Sequence, residues 1–316
     1  MQPRRFGRGI ALPTVNSNGV KRGGALGGWH QWQTGEDGRR QLAQGHISKT
    51  AASAHEYIDA VFEFLSISNR KPRVSGALMD RVSQCAVCLS WPSHPVCAPC
   101  CARFVPVQRR CRKCALLMPA DLSGGTRQLP LDCISCERNP PPVDATHVAV
   151  SYAFPWSGLI AQYKFSSQTG WAAGFAALML EHEAIAECLR GLTANDVVLP
   201  LPLSRQRLQT RGFNQSWLLA QSLAAQSGTP ARLDASLLLR IRDTAPQSSL
   251  PKSGRLTNVR GAFAVDPLNA GSLAGRHVVL VDDVMTSGAS INAAALALRT
   301  ARAARVTVLV LARTEA

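Results

Sequence analysis

The sequence predicts an α/β protein: a doubly wound parallel sheet preceded by a small, metal-stapled, cysteine-rich module. Three observations carry that expectation. Apolar runs at Val197–Leu201, Val278–Val281 and Val306–Ala312 are continuous rather than alternating, as suits strands covered on both faces. Helix-length segments separate these runs, which favours parallel strands joined by crossovers. Upstream, eight of the 10 cysteines fall into four Cys-x-x-Cys pairs, and Asn139-Pro140-Pro141-Pro142 closes that region off with a stiff, helix-stopping exit.

The chain has 316 residues, 46% of them hydrophobic, enough for at least one full core with appendages. Its segments are expected to be 1–78, a largely disordered or mis-assigned extension; 79–142, a double zinc-binding module; and 143–316, the α/β domain. No apolar stretch reaches the length of about 20 residues that spans a bilayer, so no membrane insertion is expected. The basic opening Met1-Gln2-Pro3-Arg4-Arg5 lacks the apolar core of a secretory signal, which points to the cytoplasm. A formal net charge of +15 attracts polyanions, either nucleic acid or phosphorylated ligands.

Residues 1–78 are rich in Gly, Gln, Ser and Arg, with one apolar patch at Tyr57–Ile67. Met79 offers an alternative translation start just before the first cysteine pair. Cys85/Cys88, Cys97/Cys100, Cys111/Cys114 and Cys133/Cys136 then supply ligands for two structural Zn²⁺ sites, since a Cys-x-x-Cys turn lets two thiolates grip one tetrahedral ion. Short loops favour joining the first pair to the second and the third to the fourth; a cross-braced pairing would use the same residues in another order. Cys101 is a substitute ligand by position, Cys188 a buried thiol, and His94 a solvated loop residue.

Beyond the prolines, Val148–Phe154 reads as a strand. Leu159, Ile160 and Tyr163 share a helical face leading to Lys164-Phe165, and Trp171–Leu189 reads as one long helix. The strand Val197–Leu201 leads into a loop, Pro202–Arg207, and then a helix near Asn214–Gln226. Segment 240–261 holds Arg240, Arg242, Lys252, Arg255 and Arg260 among small polar residues and prolines, the composition of a mobile lid.

The richest segment is Val278–Ser290. Asp282 and Asp283 follow a buried strand, at the end of a sheet where α/β ligands bind. Thr286, Ser287, Gly288, Ala289 and Ser290 then make a hydroxyl-rich turn, and a helix from about Ile291 to Ala303 adds its positive end. A phosphorylated sugar fits that combination of acids and anion cradle.

This segment closely resembles the phosphoribosyl pyrophosphate motif of type I phosphoribosyltransferases. The resemblance implies that Asp282 and Asp283 hold the ribose hydroxyls, directly or through Mg²⁺, and that Thr286–Ser290 cradle the 5-phosphate. The order of parts narrows it further. The Cys-pair module is followed by Tyr163-Lys164-Phe165, Pro200-Leu201-Pro202-Leu203, Arg211-Gly212-Phe213-Asn214-Gln215, Arg242-Asp243-Thr244-Ala245-Pro246-Gln247 and Asn258-Val259-Arg260-Gly261-Ala262-Phe263. That order resembles the ComF family, competence-associated proteins with a phosphoribosyltransferase-like domain, across roughly residues 85–314.

The expected fold is therefore a type I phosphoribosyltransferase-like sheet behind a zinc module. Arg205 and Arg211 are the first candidates for the pyrophosphate, because planar guanidinium forks suit phosphate oxygens, and Lys164 is a further phosphate contact. The resemblance implies a role in DNA uptake alongside other competence proteins. Single-stranded DNA would lie on Arg103, Phe104, Arg109, Arg110, Arg112 and Lys113 of the module. The alternative is an active phosphoribosyltransferase of nucleotide or amine metabolism, releasing pyrophosphate to an acceptor for which no segment announces a pocket.

Overall fold

A computed structural model describes residues 83–119, 130–166, 168–242 and 261–315. The expectations for residues 1–78, for a start at Met79, and for Lys252, Arg255 and Arg260 in the lid lie outside the described residues.

The sheet has five parallel strands in the order β1-β7-β6-β2-β3. They are β1 (Ala145–Ser151), β2 (Val197–Pro200), β3 (Arg232–Leu233), β6 (His277–Met285) and β7 (Arg305–Arg313). Adjacent β6 and β7 pair over their length, from His277 opposite Arg305 to Met285 opposite Arg313. Their side chains alternate between two cores. Val278 and Leu280 join Val306, Val308 and Val310 on one face, while Val279 and Val281 join Leu309 and Leu311 on the other. Both faces are covered, so the strands read as unbroken apolar runs.

One face receives Ile291, Ala294, Ala295 and Leu298 of the helix Ala289–Thr300, together with an antiparallel pair formed by β4 (Leu238–Arg240) and β5 (Phe263–Val265). The other face receives helices Trp156–Phe165, Trp171–Leu180, Glu183–Arg190 and Gln215–Ser227, through residues such as Tyr163, Phe175, Ile185 and Leu219. Each such side chain contributes about 1.5–3 kcal/mol on burial, which makes this helical layer a rigid mount for what it carries at its edge. In chain order the helices are α1 (Ala98–Phe104), α2 (Ile134–Arg138), α3 (Trp156–Phe165), α4 (Trp171–Leu180), α5 (Glu183–Arg190), α6 (Arg205–Arg211), α7 (Gln215–Ser227) and α8 (Ala289–Thr300). None is long and apolar enough to cross a membrane.

Several expected elements differ. The single helix over 171–189 is two helices, because His182 takes an extended backbone (φ −81°, ψ 107°) between Glu181 and Glu183. The loop expected over Pro202–Arg207 ends at Ser204, whose hydroxyl accepts from the Arg207 amide at 3.3 Å and caps α6. The start of the expected lid is strand instead: Arg240 lies buried in β4 with its guanidinium 5.3 Å from the Phe263 ring centroid.

The cysteine-rich module is bonded to the sheet. The Thr146 amide donates to the Arg112 carbonyl at 2.7 Å, Lys113 Nζ donates to the Val143 carbonyl at 2.6 Å, and Trp156 Nε1 donates to the Phe104 carbonyl at 3.0 Å. Arg110 pairs with Glu315 at 2.8 Å, near the end of β7.

Candidate functional site

β6 does not stop at Val281; it continues to Met285 because β7 still offers Val310, Ala312 and Arg313 as partners. Asp282 and Asp283 therefore project from a strand that is still paired, and they are 7% and 2% exposed. Buried carboxylates need donors. For Asp282, the Ser216 hydroxyl donates to Oδ1 at 2.9 Å and the Asp283 amide donates to the same oxygen at 2.9 Å. For Asp283, Gln215 Nε2 donates to Oδ1 at 3.4 Å, and Lys164 Nζ stands 2.8 Å from Oδ2. The lysine contact is an electrostatic pairing rather than an aligned hydrogen bond, so Oδ2 has no aligned donor.

Local sequence explains how these partners arrive. Gly212 takes the left-handed region (φ 80°) that ends α6, and Asn214 caps α7 by accepting from the Ser216 and Trp217 amides at 3.0 and 3.4 Å. That start places Gln215 and Ser216 in the first turn of α7, against the acids. The Tyr163 hydroxyl then donates to the Gln215 carbonyl at 2.7 Å, fixing α3 and its Lys164 against the same turn. Arg211 donates to Gln215 Oε1 and rests 5.3 Å from the ring centroid of Phe165, an exposed residue.

Burial, reinforced by the neighbouring Asp283 charge, raises the Asp282 carboxyl to about 7, and Lys164 offsets this only in part. Burial also lowers the Arg211 guanidinium below its ordinary value, against the pull of Asp283.

The turn after β6 reverses through Gly288 (φ 76°), which begins α8 two residues earlier than expected. The left-handed backbone is what requires glycine; a side-chain carbon there would sit 2.6 Å from Met285 Cε, a flexible tip that can give way. Thr286 is exposed, Ser287 and Ser290 are half-buried, and Ala289 is buried; the Ala289 amide donates to Ser287 Oγ at 3.4 Å. A 12-residue helix aims its N-terminus at this turn.

Of the residues singled out from sequence, Asp282, Asp283, Lys164 and Arg211 are gathered into one cluster, with Thr286–Ser290 following in the turn and helix start after that strand. Arg205 is not: it stands exposed at the start of α6 and makes no ion pair among the described residues. Gln215, Ser216 and Tyr163 were not singled out as site residues. The Asn-Gln-Ser run that starts α7 was the available signal, because a capping Asn places the next two side chains at a helix mouth.

The eight paired cysteines form two groups, Cys85/Cys88/Cys97/Cys100 and Cys111/Cys114/Cys133/Cys136, with the sulfurs in each within 4.8 Å of one another. The grouping is sequential rather than cross-braced. The two halves repeat one device: the residue after the second cysteine, Leu89 or Ala115, takes a left-handed backbone, and the third cysteine, Cys97 or Cys133, begins a short helix. The Cys97 and Cys133 amides donate to the sulfurs of Cys85 and Cys111 at 3.4 and 3.2 Å. Sulfurs of Cys88 and Cys97 lie 3.5 Å apart, and those of Cys114 and Cys133 3.7 Å. A tetrahedral ion about 2.3 Å from each sulfur sets neighbouring sulfurs about 3.8 Å apart, so soft thiolates at this spacing fit zinc. Cys101 packs beside the apolar core and belongs to neither group, while His94 is exposed.

Comparison with known proteins agrees with this architecture. The phosphoribosyl transferase domain family matches residues 235–316. The DNA utilization protein YhgH of Salmonella typhi is 35% identical over 215 residues, covering 68% of this chain and 88% of that protein. Competence protein F of Haemophilus influenzae is 30% identical over 160 residues, covering 51% and 69% respectively. Competence protein ComFC of Bacillus subtilis is 36% identical over 99 residues, covering 31% and 36%. With a parallel α/β sheet, a phosphoribosyl transferase domain and paired four-cysteine groups ahead of it, the chain belongs to the ComF family of phosphoribosyltransferase-like proteins.

Proposed function

We propose that this protein binds phosphoribosyl pyrophosphate with Mg²⁺ at the end of β6 and acts, with that ligand, in DNA uptake or utilization. The observation that carries the reading is the buried pair Asp282 and Asp283 placed directly before the Gly288 turn and the N-terminus of α8. Acids there suit ribose hydroxyls, and the turn from Thr286 to Ser290 suits the 5-phosphate. Arg211 and Lys164, both interacting with Asp283, offer cations for a pyrophosphate, and Arg205 stands exposed at the start of α6. The buried carboxylates are hard oxygen donors, so the pair fits Mg²⁺ by the chemistry of its ligands. When bound, Mg²⁺ supplies charge that neutralises the pyrophosphate.

The DNA role is supported by the names of the relatives and by the charge of the chain, +15. In the module, Arg103 and Trp91 are both exposed, residue types that suit single-stranded DNA through phosphate contact and stacking.

A second reading, turnover, is favoured by the Asp282 carboxyl near 7. In that reaction the bond from the ribose C1 to the pyrophosphate oxygen breaks, and its electron pair leaves with pyrophosphate. The acceptor's nucleophilic atom bonds to C1, and its proton passes to a base, which Asp282 would provide.

Calorimetric titration of phosphoribosyl pyrophosphate with and without Mg²⁺ tests the first reading. Binding is expected in the wild type and lost in Asp282→Asn/Asp283→Asn; equal binding by both proteins would overturn the site. Release of pyrophosphate on addition of candidate acceptors separates turnover from holding.

A further inference from the structure

Arg313, the last residue of β7, is only 4% exposed, yet among the described residues its guanidinium makes no ion pair with a carboxylate; it is surrounded by backbone carbonyls. Nε donates to the Cys114 carbonyl at 2.9 Å, while Nη1 donates to the Met285 carbonyl at 3.1 Å and to the carbonyls of Thr286 and Thr314. A buried cation costs several kcal/mol unless such acceptors are held for it, so the acceptors and the arginine hold one another in place. The two ends of this fork belong to different sites. Cys114 is a member of the second four-cysteine group, and its carbonyl is aimed by the left-handed Ala115 that follows. Met285 and Thr286 are the hinge between the acid pair and the turn through Gly288.

We propose that Arg313 is a positioning residue that joins the second four-cysteine metal site to the anion-binding turn, so that zinc there and a phosphate at Thr286–Ser290 strengthen each other's binding. This rests on the reading of that turn as the 5-phosphate cradle. A metal ion fixes the Cys111–Cys114 knuckle and therefore the Cys114 carbonyl. With that acceptor fixed, the guanidinium stays in plane to hold the carbonyls of Met285 and Thr286, and the amides that follow stay aimed at one point. When the knuckle relaxes, the arginine loses an acceptor and the turn loses its brace. Binding linkage is reciprocal, so the effect is measurable from either side. The first group, around Cys85, makes no such bond among the described residues, so only one of the two ions is coupled.

Three measurements on the full zinc-loaded chain test this. Hydrogen exchange without any ligand is expected to quicken at residues 286–290 in Arg313→Gln, with metal content unchanged at two ions, and to be partly restored in Arg313→Lys. Titration with ribose 5-phosphate is expected to weaken about 5-fold to 100-fold in Arg313→Gln. Equilibrium competition with a chromophoric zinc chelator is expected to show ribose 5-phosphate protecting one ion of the two in the wild type and neither in Arg313→Gln. Unchanged exchange in Arg313→Gln, or equal protection of zinc in both proteins, would overturn the coupling. Quickened exchange together with no ribose 5-phosphate binding by the wild type would instead overturn the cradle and leave the brace standing. Arg110→Ala, which removes the bonds to the Ala115 carbonyl, Gln108, Ser151 and Glu315 but none to Met285 or Thr286, is the control expected to leave exchange at 286–290 unchanged.

Discussion

Lys164 Nζ stands 2.8 Å from Asp283 Oδ2, joining the end of α3 to the middle of the sheet at the point where two buried acids meet. The lysine partly offsets the charge that burial would otherwise expel.

Lys164→Met keeps the stem and removes that charge, leaving Asp283 with Gln215 as its nearest donor. The expected cost is about 3 kcal/mol in urea unfolding at neutral pH, the low end of the range for breaking a buried pair, because the lysine is partly exposed. Mg²⁺ is expected to raise the melting temperature of the variant more than that of the wild type, since the ion would take over the lysine's position. Identical stabilities with and without Mg²⁺ would show that the pair behaves like a surface contact.

Gly288→Ala meets two obstacles at once, a left-handed backbone and a methyl 2.6 Å from Met285 Cε. Because Met285 Cε is the flexible end of its side chain, the backbone strain dominates, and a loss of about 1–3 kcal/mol in denaturant unfolding is expected. Gly158→Ala is the control: it lies within α3 with open space at its side-chain position, so a neutral to slightly stabilising change of up to about 1 kcal/mol is expected there. Phosphate affinity is expected to fall only in the first variant.

How much of this was legible follows from the range of the signals. The cysteine groups were readable because each ligand pair is local and the loops joining them are short, and the structure keeps that sequential order. The central strands were readable because two buried faces leave an unbroken apolar run. What was not readable depended on distant partners. The acids remain in strand because Val310 and Ala312 continue opposite them, and α6 forms on a serine cap although its Arg- and Gln-rich sequence has no apolar stripe. The break at His182 interrupts a stretch whose apolar content runs on past it, and the two-residue β3 is too short for any pattern. Arg313 closes a strand as a charged residue that would normally mark its exposed end; only the carbonyls of Cys114 and Met285, far off in sequence, make it an interior group.

Metal content follows from the grouping. The wild type is expected to hold two zinc ions, and Cys88→Ser or Cys133→Ser to hold one each, by plasma emission spectrometry on chelator-washed protein. Cys101→Ser and Cys188→Ser are expected to keep both, since neither sulfur belongs to a group. A loss of zinc in Cys101→Ser would show that this thiol exchanges with Cys100 as a ligand.

Asp282 gives the pH dependence. Its carboxyl is raised to about 7 in the folded protein, against an ordinary value near 4 in the unfolded chain. Between those values the folded state holds a proton that the unfolded state has released, so stability falls as pH rises through that window and levels off above about 7. The drop is on the order of 4 kcal/mol if the whole shift is expressed, with the neighbouring Asp283 sharing the proton. Asp282→Asn is expected to remove this slope and to be more stable than the wild type above neutral pH, while losing the sugar ligand. Ser216→Ala removes the hydroxyl that favours the charged form, so its stability should keep falling to a higher pH than in the wild type. Urea midpoints taken at intervals across the window measure all three curves. A wild type that gains stability from pH 5 to pH 7, where Asp282→Asn does not differ, would mean that Asp282 is already ionised in the fold and serves as a fixed charge rather than a proton acceptor.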